Sequence, residues 1–323
     1  MSINKKSRFS KKNAALIAIA AICFVLFFVG GPDYYSPRSY KRFWDLGHIL
    51  FFFILTYFIF VYWPRNSKTT FLRQSIFAII ITICLGSLIE LAQTESLRTP
   101  DLMDLARDII GCLIALAFYA PNRNAIPKTV LKTFQTISLI LLAIAFLPLI
   151  AAIIDETAAR NQFPVLADFE TRFETDRLTG TANFSIDHKI HFHGNGSLRV
   201  VLNTSHYSGI ALNYFPENWM DYKELQFSIY NPDKKPIHLT CRIHDRRHSQ
   251  GQQLYSDRFN KNFSISNGWN LIRIPLEEIL NAPYKRKIAL NQIQGLAIFA
   301  VSLSKPRTVY IDYVRLVNTI PEN

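Results

Sequence analysis

The stretch ELAQTESLRTPDLMDLARDIIG, Glu90–Gly111, joins two apolar runs that each look long enough to enter a membrane. It holds five acids (Glu90, Glu95, Asp101, Asp104 and Asp108) and two arginines (Arg98 and Arg107), and some of these sit inside the apolar runs. A charge at the centre of a membrane helix costs ~2.5–3.5 kcal/mol even on the gentler insertion scale. Carboxylates kept at such depth usually face a bundle interior, where they pair or line a wet cavity. The stretch therefore reads as a polar seam within a membrane bundle, and the flanking sequence has to supply that bundle.

A membrane helix needs about 20 mostly apolar residues. Ala14–Gly31, Leu46–Trp63, Gln74–Gln93, Leu102–Ala120 and Thr133–Ile154 meet or approach that length, the third and fourth only with Glu90 and Asp108 tolerated inside them. The reading is an α-helical bundle of five transmembrane helices over residues 1–154. The first run follows a basic segment (Lys5, Lys6, Arg8, Lys11, Lys12) but ends in FFVGGPDYY with no small-residue cleavage site, which points to an uncleaved anchor. Lys and Arg counts set the orientation. The N-terminus, Pro64–Arg73 and Pro121–Lys132 carry five, three and three, against three in Pro32–Asp45 and one in Thr94–Met103. This places the N-terminus in the cytoplasm and the C-terminal half outside a multi-pass cytoplasmic (inner) membrane protein. The Arg38, Lys41 and Arg42 cluster runs against the trend.

The net charge of +12 would raise nucleic-acid binding in a soluble protein. Here many of the basic residues flank apolar runs, and no Lys/Arg-rich helix or zinc-spaced cysteine set is present, so no nucleic-acid partner is expected. Cys23, Cys84 and Cys112 lie in apolar runs, which leaves Cys241 alone in the soluble half with no disulfide partner there.

Within the seam, Thr99-Pro100 reads as the N-cap and first residue of the fourth span, with Asp101 in its first turn against the helix dipole. Asp101, Asp104 and Asp108 fall within about 60° of one another on one helix face. Ser87, Glu90, Gln93 and Thr94 form a stripe on the third span, and Asp45 and His48 sit three residues apart on the second. Asp45, Glu95 and Asp101 are explained as interfacial residues that meet water. Glu90, Asp104, Asp108 and His48, with Gln93 and Arg98, are the candidate functional set, although pairing with Arg98 or Arg107 would make it a structural ion pair. A histidine with two or three carboxylates can hold a divalent cation, perform acid–base chemistry on a lipid-linked envelope intermediate, or bind a cationic group. No nucleophile elbow, P-loop or HExxH motif favours a particular enzyme.

These residues also carry a resemblance. Asp45-x-x-His48, Glu90-x-x-Gln93, Arg98, Asp104 and Gly111 resemble the VanZ-like family of membrane proteins over roughly residues 45–119. That family is named for a member associated with glycopeptide (teicoplanin) resistance. Where the family pattern usually has Asn four residues after the Asp, this chain has Asp108, which adds a negative charge. The resemblance implies a cell-envelope role rather than a reaction.

The second half changes character. Residues 155–167 (DETAARNQFPVLA) read as a polar linker, and residues 168–317 as a β-sandwich, with a short tail at 318–323. LRVVL, GIALNYF, LQFSIYN, IHLTCRI, NLIRIPL, GLAIFAV and TVYIDYVRL alternate as short strands, several of them separated by turn clusters such as HGNGS, NPDKKP and SNG. His188, His191 and His193 read as surface residues alternating along a strand. The phrases DFE (168–170), HGNGSLRV (193–200), NGWNLIRIPL (267–276) and YIDYVRL (310–316) resemble jelly-roll carbohydrate-binding modules of the galactose-binding-like group. The resemblance implies a structural calcium held by Glu170 and Asp312, with Asp168 as a further ligand. Sugar binding uses aromatic faces bordered by polar groups. Tyr207, Tyr214, Trp219, Tyr255 and Phe259 are the candidates, with His244, Asp245 and Arg258 as polar partners; Tyr207 and Tyr255 are preferred for their polar surroundings. Trp269, inside an alternating strand, reads as core. The expectation is a VanZ-like membrane protein whose outer jelly roll binds an envelope glycan or glycolipid and whose bundle meets membrane lipid. The alternatives are an enzyme acting on a lipid-linked envelope precursor and a scaffold that binds a protein.

Overall fold

A computed structural model describes residues 11–33, 35–62, 69–94 and 101–318. The chain divides into two compact units, residues 1–150 and 151–323. Each of the five apolar runs forms a helix: α1 (Lys11–Phe28), α2 (Arg38–Tyr62), α3 (Phe71–Thr94), α4 (Leu102–Tyr119) and α5 (Lys128–Gln162). Three of them, α2, α3 and α5, are long and apolar enough to cross a membrane. The expected count of five spans falls short at α1, whose apolar part is only Asn13–Phe28, and at α4, whose 18 residues include Asp104, Arg107 and Asp108. Arg98, Glu95 and the Thr99-Pro100 pair lie outside the described residues, as do Lys5, Lys6, Arg8, Arg65 and Lys68 of the orientation argument. The cap of α4 is Asp101 itself: its backbone is extended and its carboxylate accepts from Met103 N at 2.9 Å.

Helices α2 and α4 make the closest crossing in this unit, and glycine is what permits it. A Cβ on Gly111 would overlap the Ile49 carbonyl and the Phe53 amide nitrogen. On α3, a Cβ on Gly86 would occupy the space of the Asp108 carboxylate. Small residues at such crossings let backbones approach where lipid gives helices no hydrophobic reason to associate.

The residues expected to form a linker are ordered. Helix α5 continues through Asp155 to Gln162, where Glu156, Ala158, Ala159 and Arg160 are good helix formers. The chain then enters β1 (Val165–Ala167). The second unit is a sandwich of two antiparallel sheets. Its strands are β2 (Leu178–Gly180), β3 (Asn183–Asp187), β4 (Ser197–Leu202), β5 (Tyr207–Leu212), β6 (Glu224–Asn231), β7 (Ile237–Asp245), β8 (Phe259–Ile265), β9 (Gly268–Pro275), β10 (Ile293–Val301) and β11 (Arg307–Val317). The first sheet runs β3-β4-β11-β6-β9, with β1 also pairing β11, and the second runs β2-β5-β10-β7-β8.

Alternation sets the inner and outer faces. On β7, Ile237, Leu239, Cys241 and Ile243 are buried, while His238, Thr240, Arg242 and His244 face outward. Leu198, Leu225, Phe227, Leu212 and Leu296 contribute to one core between the sheets. Each such side chain contributes roughly 1.5–3 kcal/mol on burial. One ionic tie is also inside. Arg177 donates to both Asp155 carboxylate oxygens (2.7 and 2.6 Å) and to the Leu166 carbonyl (3.0 Å), and both charged side chains are 1 % exposed.

Two assignments made from residue type change places. Trp219 is fully buried, with its indole N–H on the Pro216 carbonyl at 3.0 Å and its ring against Phe215, so it belongs to the core. Trp269 is half-buried on the outer face of the first sheet, because the register turns Ile272 and Ile274 inward. It packs there against Phe192 and Tyr230. His188, His191 and His193 lie in the turns after β3 rather than within a strand, and all three are exposed.

Candidate functional site

In the helical unit, α2, α3 and α4 bring the expected residues together. His48 Nδ1 lies 2.9 Å from Asp108 Oδ1, and its Nε2 faces Asp104 Oδ2 at 3.7 Å. His48 is 5 % exposed and Asp108 is fully buried. Ligand atoms of His48, Glu90 and Asp104 lie within 4.8 Å of one another. Glu90 uses Oε2 to accept from Asp101 N at 3.0 Å; among the described residues its buried Oε1 and the buried Asp108 Oδ2 have no hydrogen-bond partner. The other Asp104 oxygen is held by Arg107, which also reaches Asp45 at 3.3 Å and Asp101 at 3.9 Å. The Phe27 ring packs on His48 with centroids 4.5 Å apart. Gln93 donates to the Phe27 carbonyl at 3.0 Å and so ties α3 to α1.

In the sandwich, the outer face of the second sheet gathers four of the eight expected sugar-binding residues, Tyr207, Tyr255, His244 and Arg258. The register places Gly209, Phe299, Thr240 and Asn262 in one row across four strands, and Ala211, Ala297, Arg242 and Asn260 in the next. Tyr207, 57 % exposed, stands beside Phe299 with ring centroids 5.7 Å apart. Tyr255, 71 % exposed, carries the Arg258 guanidinium over its ring at 5.6 Å. His244 lies flat over Gly295, where any Cβ would strike its ring. Burial, helped by the nearby Arg242, His248 and Arg258 charges, lowers the His244 pKa to about 4, so the ring is neutral at pH 7. His244 Nδ1, Arg258 Nε and Asn260 Oδ1 are buried without hydrogen-bond partners. Such orphaned polar atoms on a face edged by exposed aromatics suit hydroxyl-rich ligands.

Not every candidate belongs to this face. Phe259 is in the core. Asp245 is fully buried and structural: it caps α6 (Arg246–Gln250) through His248 N, accepts from Ala289 N and pairs with Arg286. Phe299, Asn260 and Asn262 were not anticipated. Phe299 had a signal in the alternation of GLAIFAV, whereas β8, which carries both asparagines, has too few apolar residues to announce a strand.

The three acids expected to hold calcium have separate roles. Asp312 Oδ2 accepts from the Phe192 and His193 amides (2.6 and 2.9 Å), and its Oδ1 is buried and unpartnered. Glu170 Oε1 accepts from the Asn195 and Gly196 amides (2.7 and 3.1 Å). Both carboxylates therefore grip the 192–196 loop from within the fold. Asp168 accepts instead from Glu170 N and Gln162 Nε2, each at 3.4 Å.

Residues 157–318, half of the chain, match the family carbohydrate binding domain 30. The chain belongs to that family. Its carbohydrate-binding domain is similar to the family 11 carbohydrate-binding module from Clostridium thermocellum in complex with a β-1,3-1,4-mixed-linked tetrasaccharide (13% identity, 49% of this chain and 96% of that one, TM-score 0.37). It is also similar to the family 30 carbohydrate-binding module of the cellulosomal cellulase Cel9D-Cel44B of Clostridium thermocellum (13% identity, 45% and 94%, TM-score 0.33). An exo-beta-agarase is a third similar structure (18% identity, TM-score 0.39); the similarity covers 49% of this chain but only 25% of the agarase. No curated protein matches the chain.

Proposed function

We propose that the chain is a multi-pass protein of the cytoplasmic (inner) membrane whose carbohydrate-binding sandwich lies outside the cytoplasm and captures a glycan or glycolipid of the envelope. The observation that carries the recognition half is the outer face of the second sheet, where Tyr207, Phe299 and Tyr255 stand with Arg258, His244 and Asn260 in a family-30 domain. Membrane residence is supported by the apolar side chains that the helices expose, among them Ile80, Leu88, Leu91, Leu147 and Ile150. Such a surface needs an apolar solvent or a partner. The VanZ-like reading of the helical unit is supported by the meeting of His48, Glu90, Asp104 and Asp108, with Gly111 at the α2–α4 crossing. That convergence also favours a second reading, an enzyme acting on a lipid-linked envelope precursor through these groups.

The test screens envelope polysaccharides and glycolipid headgroups against the full chain and against residues 151–323. Saturable binding that Tyr207→Ala or Tyr255→Ala abolishes, and Trp269→Ala leaves intact, supports the assignment. Binding lost only with Trp269→Ala would move the site to the other sheet, and no glycan binding at all would reduce the sandwich to a scaffold. A reporter enzyme that works only outside the cytoplasm, fused after Asn323, is expected to be active; inactivity there with an active cytoplasmic reporter reverses the topology.

A further inference from the structure

We infer that His48, Glu90 and Asp104 form a binding site for a divalent transition-metal ion of the zinc or manganese class, with Asp108 as the residue that positions the histidine. Asp108 Oδ1, 2.9 Å from His48 Nδ1, accepts that nitrogen's proton and leaves the lone pair of the neutral ring on Nε2. Among the described residues, Nε2 has no hydrogen-bond partner, and its nearest carboxylate oxygen, on Asp104, is 3.7 Å away. That is too long for a hydrogen bond. It is close to the separation of about 3.3 Å that two donors adopt on one tetrahedral ion with ligand bonds of ~2.0–2.1 Å.

The third donor has the same character. Among the described residues, Glu90 Oε1 is shut away from solvent with nothing to accept from, although its other oxygen is engaged. A carboxylate oxygen buried without a partner is costly, and a cation is the partner that three converging electron-pair donors call for. Arg107 does not fill this role. It holds the outer Asp104 oxygen together with Asp45 and Asp101, and thereby fixes which Asp104 oxygen faces His48. A carboxylate on the far nitrogen of a ligating histidine is a recurrent outer-shell arrangement that sets the tautomer and raises ligand basicity. One imidazole with two carboxylates selects zinc or manganese over calcium and magnesium, which prefer oxygen alone.

The experiment uses the full chain in detergent, stripped with a chelator, freed of any affinity tag and titrated with cobalt(II), zinc(II) or manganese(II). The wild type is expected to retain one equivalent per chain and to give a cobalt absorption band characteristic of mixed nitrogen–oxygen ligation. Glu90→Gln and Asp104→Asn should lose the band or weaken binding at least tenfold. Asp108→Asn should keep the stoichiometry with affinity reduced about 10–100-fold. Size-exclusion and thermal-unfolding profiles separate a lost site from a lost fold. Should the variants fail to fold, the wild type alone decides: bound manganese must show hyperfine coupling to an imidazole nitrogen. No retained metal, metal without that coupling, or equal binding by folded Glu90→Gln and Asp104→Asn would overturn the assignment.

Discussion

Each unit of this protein buries a constellation of charges, and the two differ in how completely their atoms are paired. In the sandwich, the Arg177 guanidinium meets both oxygens of Asp155 and the carbonyl of Leu166. In the helical unit, Glu90 and Asp108 each leave one buried oxygen with no partner. A buried charge network that is fully satisfied holds a fold together, whereas one that is partly satisfied is costly and persists where something else completes it. On the proposed reading, the contrast separates the structural Arg177–Asp155 pair from the candidate site more sharply than burial does, since Arg177, Asp155, His48 and Asp108 are all buried.

The largest expected effect lies on the satisfied side. Removing one partner of a buried pair leaves the other uncompensated, which costs about 3–5 kcal/mol. Asp155→Ala in residues 151–323 is therefore expected to lower the unfolding free energy measured by urea denaturation by that much. A fragment beginning at Arg160 should behave the same way, because it discards the end of α5 that carries Asp155. A loss under 1 kcal/mol in both would mean that α5 and the sandwich are not one structural unit at this point.

That boundary also shows what could be read from the chain and what could not. The five helical runs and seven of the strands follow from hydrophobic length and alternation, so they were legible. The end of α5 was not, since DETAARNQ looks like a linker when judged by polarity, although Glu156, Ala158, Ala159, Arg160 and Gln162 favour helix. Trp219 and Trp269 were assigned by residue type, and only the strand register shows that Trp269 faces out while Trp219 closes the core. The spacing of His48, Glu90, Asp104 and Asp108 marked a common seam. It could not tell that Asp108 serves Nδ1 while Glu90 and Asp104 face Nε2, because that division depends on how α2, α3 and α4 are rotated about their axes.

The next effect tests whether the proposed sugar-binding face of the sandwich, like the seam, carries a price in stability. His244 has its pKa lowered to about 4 in the folded protein, against an ordinary value of 6.5. The unfolded chain therefore binds the proton more readily between those values. The stabilising contribution is complete above pH 6.5, falls as the pH drops towards 4 and declines no further below that. By linkage the loss is at most about 3 kcal/mol. His248 titrates in the same direction, so the diagnostic quantity is the difference between the wild type and His244→Gln. Urea unfolding of residues 151–323 at pH 7.5 and 4.5 is expected to show a smaller acid loss in the variant. Equal losses would place His244 in contact with solvent rather than on a desolvated face.

The smallest effect on stability belongs to the unsatisfied network, and its smallness is the point. Asp108→Asn keeps an oxygen that can accept from His48 Nδ1–H and replaces the unpartnered Oδ2 with an uncharged amide in the space beside Gly86. Removing a buried charge, one of whose oxygens has no partner, offsets the weaker hydrogen bond, so the melting temperature of the full chain in detergent should change by the equivalent of less than about 1 kcal/mol. A structural ion pair would behave as Asp155 does, and a loss of 3 kcal/mol or more on Asp108→Asn would erase the distinction between the two units. If stability holds while metal affinity falls, Asp108 sets the direction in which His48 points and contributes little to keeping α2 against α4, a task that the close approach at Gly111 already performs.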